Sequence, residues 1–432
     1  MFDVLVIGGG LAGTVAALTA RGRGVRVALA TRSWGATALS TGALDVAYSP
    51  ALSPAAQMPR TVAEHVMDIV AHRPRHPYGV LGLEVTLRAL RQGFAHLEKA
   101  LAAAGLAVTP LDLEAENRGL PSSLGTVLPA AACLSSHAGL DLAKPQPGRW
   151  GVAQLQGAAF FDARRVALGL AHDALAQSGV SPALEPVLVA FDGGSNPIAT
   201  ARALDDMATV ERLARALRER ADGIAGFIVP PVIGLERHVE ALRRLREVVG
   251  VPVVEALAHL PSPPGVRLQR ALEAAVKRAG VELVGDVAAP ITEGDRVVAV
   301  RTSDALEIRA GSFVLATGRF VSGGVTWTDR CREALFGLPV VTELGVMEDD
   351  SPSTVVRESP VESHPLLTAG VPVGRDLRPQ REGHLAFENL FAAGMVIGGF
   401  ASRYALCADG VALATGTVAA EGALAALDAE AA

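Results

Sequence analysis

Cysteine is scarce in this chain: Cys133, Cys331 and Cys407 are its only three, each far from the others. No CxxC pair exists, so neither a local zinc motif nor the cysteine run of an iron–sulfur cluster can be assembled. Aromatic residues contribute only 4%, although half of the chain is hydrophobic. The apolar mass is Ala, Val and Leu, which suits buried parallel strands and close helix packing. Basic excess is missing too: a net charge of −6 provides no broad positive field and argues against nucleic acid as a partner. The N-terminus lacks the basic region and apolar core of a signal peptide, with Asp3 and a glycine turn in their place, so the expected residence is cytoplasmic. Residues 4–20 are uncharged but hold four glycines, and read as a nucleotide loop, not a membrane span.

What is present begins with that loop. An apolar strand over 4–7 runs into Gly8, Gly9, Gly10, Leu11, Ala12 and Gly13, then an apolar helix, then a second strand over 25–31. The spacing fits a dinucleotide site: Gly8 permits the tight turn, Gly10 lets backbone approach a pyrophosphate, and Gly13 lets helix pack on strand. One part of the fingerprint is absent. Where the second strand ends, a carboxylate normally takes the ribose hydroxyls, but here the chain reads Thr31 and Arg32. Thr31 could accept one hydrogen bond and Arg32 could pair with a phosphate, so a mononucleotide remains open beside a dinucleotide.

At 432 residues, two structural units are the natural expectation. The pattern predicts an α/β protein: a Rossmann-like doubly wound domain formed by 1–48, 261–318 and 385–432, with a large α/β insertion over 49–260. A loop-rich stretch over 319–384 is expected to lie above the cofactor. Helices are expected over 62–72, 82–104, 163–177, 207–221, 235–249, 267–280 and 410–426, and strands over 187–191, 224–229, 281–284, 297–301, 305–309, 312–316 and 390–393. Three glycine-containing clusters then converge at the carboxyl ends of parallel strands, where open α/β sheets bind ligands. They are residues 8–13; Ala316, Thr317 and Gly318; and Gly394, Gly398 and Gly399, followed by Gly410 opening the last helix. Such a helix N-terminus can face the pyrimidine end of a flavin, where negative charge develops on reduction. Taken alone, that last cluster reads more simply as a glycine-rich strand end with a packing helix.

Several segments together resemble the B subunit of anaerobic glycerol-3-phosphate dehydrogenase. They are VIGGGLAG at the N-terminus; Thr31 and Arg32, followed by Ser40, Thr41, Gly42, Ala43, Leu44 and Asp45; His76, Pro77 and Tyr78; LPSPPGVRLQ from Leu260; VLATGRFVSGG from Val314; and the block 370–400 with ENLFAAGMVIGGF. The resemblance implies a Rossmann-like flavoprotein that helps oxidise sn-glycerol 3-phosphate to dihydroxyacetone phosphate. Its implied partners are a catalytic FAD subunit and an iron–sulfur, membrane-anchoring subunit that passes electrons to quinone, which would hold the chain at the inner membrane. It also implies FMN, whereas the three-glycine turn points to FAD. After Phe400 the chain reads Ala401 to Cys407 where the family is expected to carry Asp-Pro and more glycine.

Oxidation of an alcohol by a flavin needs a base for the hydroxyl proton, and a phosphorylated substrate needs cations. His364, Arg267, Arg319, Arg375, Arg378 and Arg403 lie in segments expected near the cofactor, though an ordinary ion pair is the commoner fate of any one arginine. His76 and Tyr78 could equally fix a turn beside Pro77, and Cys407 reads by default as a small packing residue. Two other functions stay open: a stand-alone flavin oxidoreductase on another hydroxy acid or amine, and a scaffold that has lost its nucleotide.

Overall fold

A computed structural model describes residues 1–49, 60–347, 352–359 and 362–431. Its main sheet has seven strands. The first strand, Phe2–Ile7, pairs in parallel with Val27–Ala30 on one side and with Glu307–Leu315 on the other. Glu282–Val284 extends the first side in parallel. Beyond Glu307–Leu315 the edge is shared: Arg296–Thr302 runs antiparallel beside its first half, and Leu390–Ala392 lies parallel to its last residues. Chain order thus reverses between Phe2–Ile7 and Glu307–Leu315, and the crevice beyond the carboxyl ends of these two strands is the place such a sheet offers a ligand.

The strands stay buried because their residues are Val, Leu, Ile and Ala with few interruptions; Val4, Leu5, Val314 and Leu315 are wholly buried. Helix Leu11–Arg21 covers one face with Val15, Ala16, Ala17 and Ala20 at no exposure. Against it lies the last helix, Ala408–Ala431, whose side toward the sheet is Ala, Val, Leu and Gly. Small residues set the distance: a Cβ on Gly416 would press into the Ala12 carbonyl. By length and composition the stretch Ala408–Ala429 could cross a membrane, but Leu413, Ala414, Ala419, Ala420 and Ala423 are fully buried in the protein core.

Sequence pattern and structure differ in two respects. Residues 305–309 and 312–316 form one strand, Glu307–Leu315; its outer residues are partly exposed and its inner ones, from Ala310 on, all buried, so the pattern changes within a single element. The insertion does not separate at residue 49. Helices Val62–His72, Pro77–Leu81 and Leu83–Ala103 bury Val66, Ile69, Tyr78, Leu90 and Leu97 in the same core as the main sheet, which keeps that core large enough to flank the crevice. The separate unit is a second parallel sheet of four strands, in the order Val253–Glu255, Gly226–Val229, Arg149–Gln156, Ala183–Asp192. Its connections are helical, with Ala163–Ser178, Met207–Arg218 and His238–Val249 covering it.

A buried ion pair ties the next helix to the second sheet. Helix Pro263–Arg278 leaves the second sheet and packs under the crevice, and its Arg267 donates to Glu255 at 2.6 and 3.0 Å and to the Gly234 carbonyl at 2.6 Å. Both side chains are sealed from solvent, with 2% and 0% exposure. Burial opposes the Glu255 charge, but Arg267 outweighs it and holds the carboxylate at about 2.

Candidate functional site

A cavity of about 900 Å³ opens at the chain-reversal point. Its floor is the glycine loop. Gly8 has φ of +120°, and a Cβ there would overlap the Ala316 carbonyl; a Cβ on Gly13 would overlap the Gly8 carbonyl. Both positions therefore exclude any larger side chain without a shift of backbone. Beneath the loop, buried Gln269 donates to the Gly9 carbonyl at 3.1 Å. The Leu11 amide is taken by the Thr37 hydroxyl at 2.9 Å, while among the described residues nothing accepts from the Gly10 or Ala12 amide. Two amides at the positive end of a helix, opening on a cavity, form an anion cradle. The Thr317 hydroxyl at the cavity wall is buried and has no partner among the described residues. Together these features fit a pyrophosphate-bearing ligand.

The expected cofactor residues divide cleanly. Gly8, Gly10, Leu11, Ala12, Thr31, Arg32, Ser40, Thr41, Ala316, Thr317, Gly318 and Gly394 all line the cavity. Gly13 supports the loop from below. Gly42, Gly398, Gly399 and Gly410 instead admit close neighbours: a Cβ would strike the His137 ring, the Gly370 carbonyl, the Arg75 carbonyl and the Tyr78 hydroxyl respectively. The sequence shows that glycine is needed there; whether backbone or ligand needs the room depends on the fold.

Of the candidates for a catalytic base or cation, Arg319 alone among those described lines the cavity. It is buried, and its guanidinium donates to the carbonyls of Met395 at 3.2 Å, Ile397 at 3.0 Å, Phe400 at 3.2 Å, and Leu367. It binds the third glycine cluster together. Burial lowers it to about 10, well within the charged range at neutral pH. Arg267 belongs to the ion pair described above. His364 accepts from the Arg357 amide at 3.0 Å away from the cavity wall. Arg375 is exposed on a turn, Arg378 pairs with Asp376 at 2.6 Å, and the side chain of Arg403 lies outside the described residues.

Sequence pattern missed the titratable pair at the other end of the cavity. Asp45 and Asp409 both line it. The Asp409 amide donates to Asp45 at 2.8 Å and the Asp45 amide donates to Asp409 at 3.2 Å. Asp45 therefore caps the last helix from 364 residues away, so that helix end already has its anion. Burial raises Asp45 to about 6, its hydrogen bonds opposing the rise. Burial and then the Asp45 charge push Asp409 well above the carboxylate range. Both carboxyls are raised and each sits against the other, so the two titrate as one unit. A signal existed in the sequence: two acidic residues flanked by otherwise apolar and glycine-rich stretches.

Next to this pair, Cys407 is buried, with its sulfur 3.4 Å from His76 Nε2. Burial raises the thiol well above its ordinary range and lowers His76 to about 3. A neutral thiol beside a neutral imidazole is a packing contact, not an activated nucleophile. His76 Nδ1 accepts from the Tyr78 amide at 3.0 Å and the Tyr78 hydroxyl donates to the Val46 carbonyl at 2.7 Å, so this cluster fixes the backbone on which Asp45 sits.

Residues 3–411 match the model of the FAD binding domain family. The chain belongs to this family. The B subunit of anaerobic glycerol-3-phosphate dehydrogenase from Yersinia pestis is 29% identical over 434 residues, covering 97% of each chain. The protein of the same name from Pectobacterium carotovorum subsp. carotovorum is 29% identical over 426 residues, covering 95% of this chain and 96% of that one. Among solved structures, 3-ketosteroid delta1-dehydrogenase from Sterolibacterium denitrificans superposes with a TM-score of 0.42 at 11% identity, covering 99% of both chains. The family match and the fitted cavity make the chain a flavoprotein of the oxidoreductase class.

Proposed function

We propose that the chain is the flavoprotein subunit of a respiratory glycerol-3-phosphate dehydrogenase, in which its flavin relays electrons from a catalytic subunit to an iron–sulfur subunit and so to quinone. Peripheral attachment to the inner membrane would come through those partners. The observation that carries the relay role is the state of the cavity beyond the glycine loop. The cation lining that end among the described residues is Arg319, and its donors are spent on four carbonyls, so it has little left for a substrate phosphate. The likeness to the Yersinia and Pectobacterium proteins over nearly the whole chain supports the assembly.

When bound, a flavin accepts and releases electrons one or two at a time. The chain's own residues supply the rest. The free amides of Gly10 and Ala12 would hold the phosphate, Gly394 and Met395 would border the ring system, and the raised Asp45–Asp409 pair would present its carboxyls to the cavity. The glycine loop, Arg319 and the buried Cys407–His76 contact keep these groups in register.

Co-expression with candidate sister subunits, followed by purification through a tag on this chain, tests the assembly. A yellow complex containing a second flavoprotein and an iron–sulfur protein is expected. Full turnover of another hydroxy acid or an amine with a soluble dye, by this chain alone, would instead select the stand-alone oxidoreductase.

A further inference from the structure

The cavity extends past the glycine loop on the side away from the Asp45–Asp409 pair, where its lining includes Thr31, Arg32, Trp34, Asp286 and Val287. A mononucleotide seated on the loop with its ring toward Asp45 would leave this arm without a function. The strand register explains how a carboxylate comes to be there. Glu282–Val284 runs parallel to Val27–Ala30 with Val284 opposite Ala30, so the chain leaves both strands side by side and Asp286 emerges beside Arg32. Asp286 Oδ2 lies 3.8 Å from Arg32 Nε and accepts from the Ser303 hydroxyl at 3.3 Å. Its other oxygen has no partner among the described residues, and the side chain, 37% exposed, belongs to a residue that lines the cavity.

We propose that Asp286 supplies the carboxylate that accepts the adenosine ribose hydroxyls of a dinucleotide flavin, taking over from the adjacent strand the role for which residues 31 and 32 carry no acid. The inference rests on the flavin reading and deepens it: the cofactor is FAD, and the missing acidic residue of the fingerprint has moved one strand outward. Arg32 then orients the carboxylate instead of meeting a phosphate. Together with Ser303 it engages Oδ2 and leaves Oδ1 for the ribose. No bond is made or broken; the assignment is one of specificity.

The test uses apoprotein of the full chain, titrated with FAD and with FMN by flavin fluorescence, and with ADP and 2′-deoxy-ADP as competitors. A charge-assisted hydrogen bond predicts that Asp286→Ala weakens FAD by about tenfold or more, leaves FMN within about twofold, and erases the preference for ADP over 2′-deoxy-ADP. Asp286→Asn, which keeps the Ser303 contact, should fall between the two and controls for folding. Equal losses for FAD and FMN, or a ribose preference that survives both substitutions, would overturn the assignment while leaving the flavoprotein reading intact. If wild-type apoprotein takes up neither flavin, the flavoprotein reading itself falls, and the assignment with it.

Discussion

Arg267 sits in a segment expected near the cofactor, yet the structure commits it to Glu255, and that commitment has a measurable energy. In Arg267→Met the Glu255 carboxylate remains wholly buried with only the Ile233 amide, at 2.7 Å, still donating to it. Removing one member of a buried pair costs about 3–5 kcal/mol, and Glu255→Gln should cost a similar amount because it strands the Arg267 cation. The double variant removes both charges: glutamine still accepts from Ile233, but the Gly234 carbonyl loses its donor and the buried glutamine amide lacks an acceptor, about 1–3 kcal/mol each. The double variant should therefore lose clearly less than the two single losses added together, a non-additive cycle. Urea unfolding followed by tryptophan fluorescence reads it, since Trp150 lies in the second sheet. The pH dependence has a fixed sign. In the wild type Glu255 is held near 2, so its contribution is full above the ordinary value of 4.5 and is lost as pH falls through 2. In Arg267→Met burial raises it instead, so the deficit of the variant shrinks as pH falls from about 7 toward about 4. Single-variant losses below about 1 kcal/mol against the range expected for a broken pair, or simple additivity, would refute the clamp.

Gly13→Ala would force its new methyl into the Gly8 carbonyl, and the loop must open; flavin affinity by fluorescence titration should fall at least about tenfold, given the directed amides it disrupts. Arg319→Met leaves four carbonyls without their donor, and should lower both the melting temperature and flavin retention; an unchanged holoprotein would contradict the bracing role. The Asp45–Asp409 pair predicts a pH effect on stability. Both carboxyls are raised, so their contribution is complete below the ordinary value of 3.8 and declines as pH climbs through about 6 and above. Asp409→Asn, a lasting mimic of the protonated form, should gain on the wild type as pH rises from about 4 to about 8 in thermal melts. A parallel pair of curves would argue that no proton is shared.

Much of the site was legible because it rests on local rules. The loop at 8–13 follows a strand and opens a helix, and neither feature needs the rest of the chain to be recognised; hence Gly8, Gly10, Leu11 and Ala12 fall on the cavity. Residues 316–318 and 394 followed from the same rule applied to later strand ends. The misreadings were of a different kind. Gly398 and Gly399 are small because of backbone at 370 and 75, and Gly410 because of the Tyr78 hydroxyl and backbone at 46, partners that only the tertiary arrangement supplies. Arg267, on a helix, finds its carboxylate on a strand of the second sheet, and Asp45 meets a helix that begins hundreds of residues later. Asp286 is the same lesson in register: a missing acid on one strand cannot be seen as present on the next until the two are known to be neighbours.

The central claim is that this chain's flavin relays electrons instead of oxidising substrate itself. The most direct measurement is the visible absorbance of the flavin-loaded chain under anaerobic conditions, on addition of glycerol 3-phosphate. The spectrum should stay oxidised with this chain alone and bleach when the sister subunits are added; prompt bleaching of the isolated chain would contradict the relay and place substrate oxidation in this cavity.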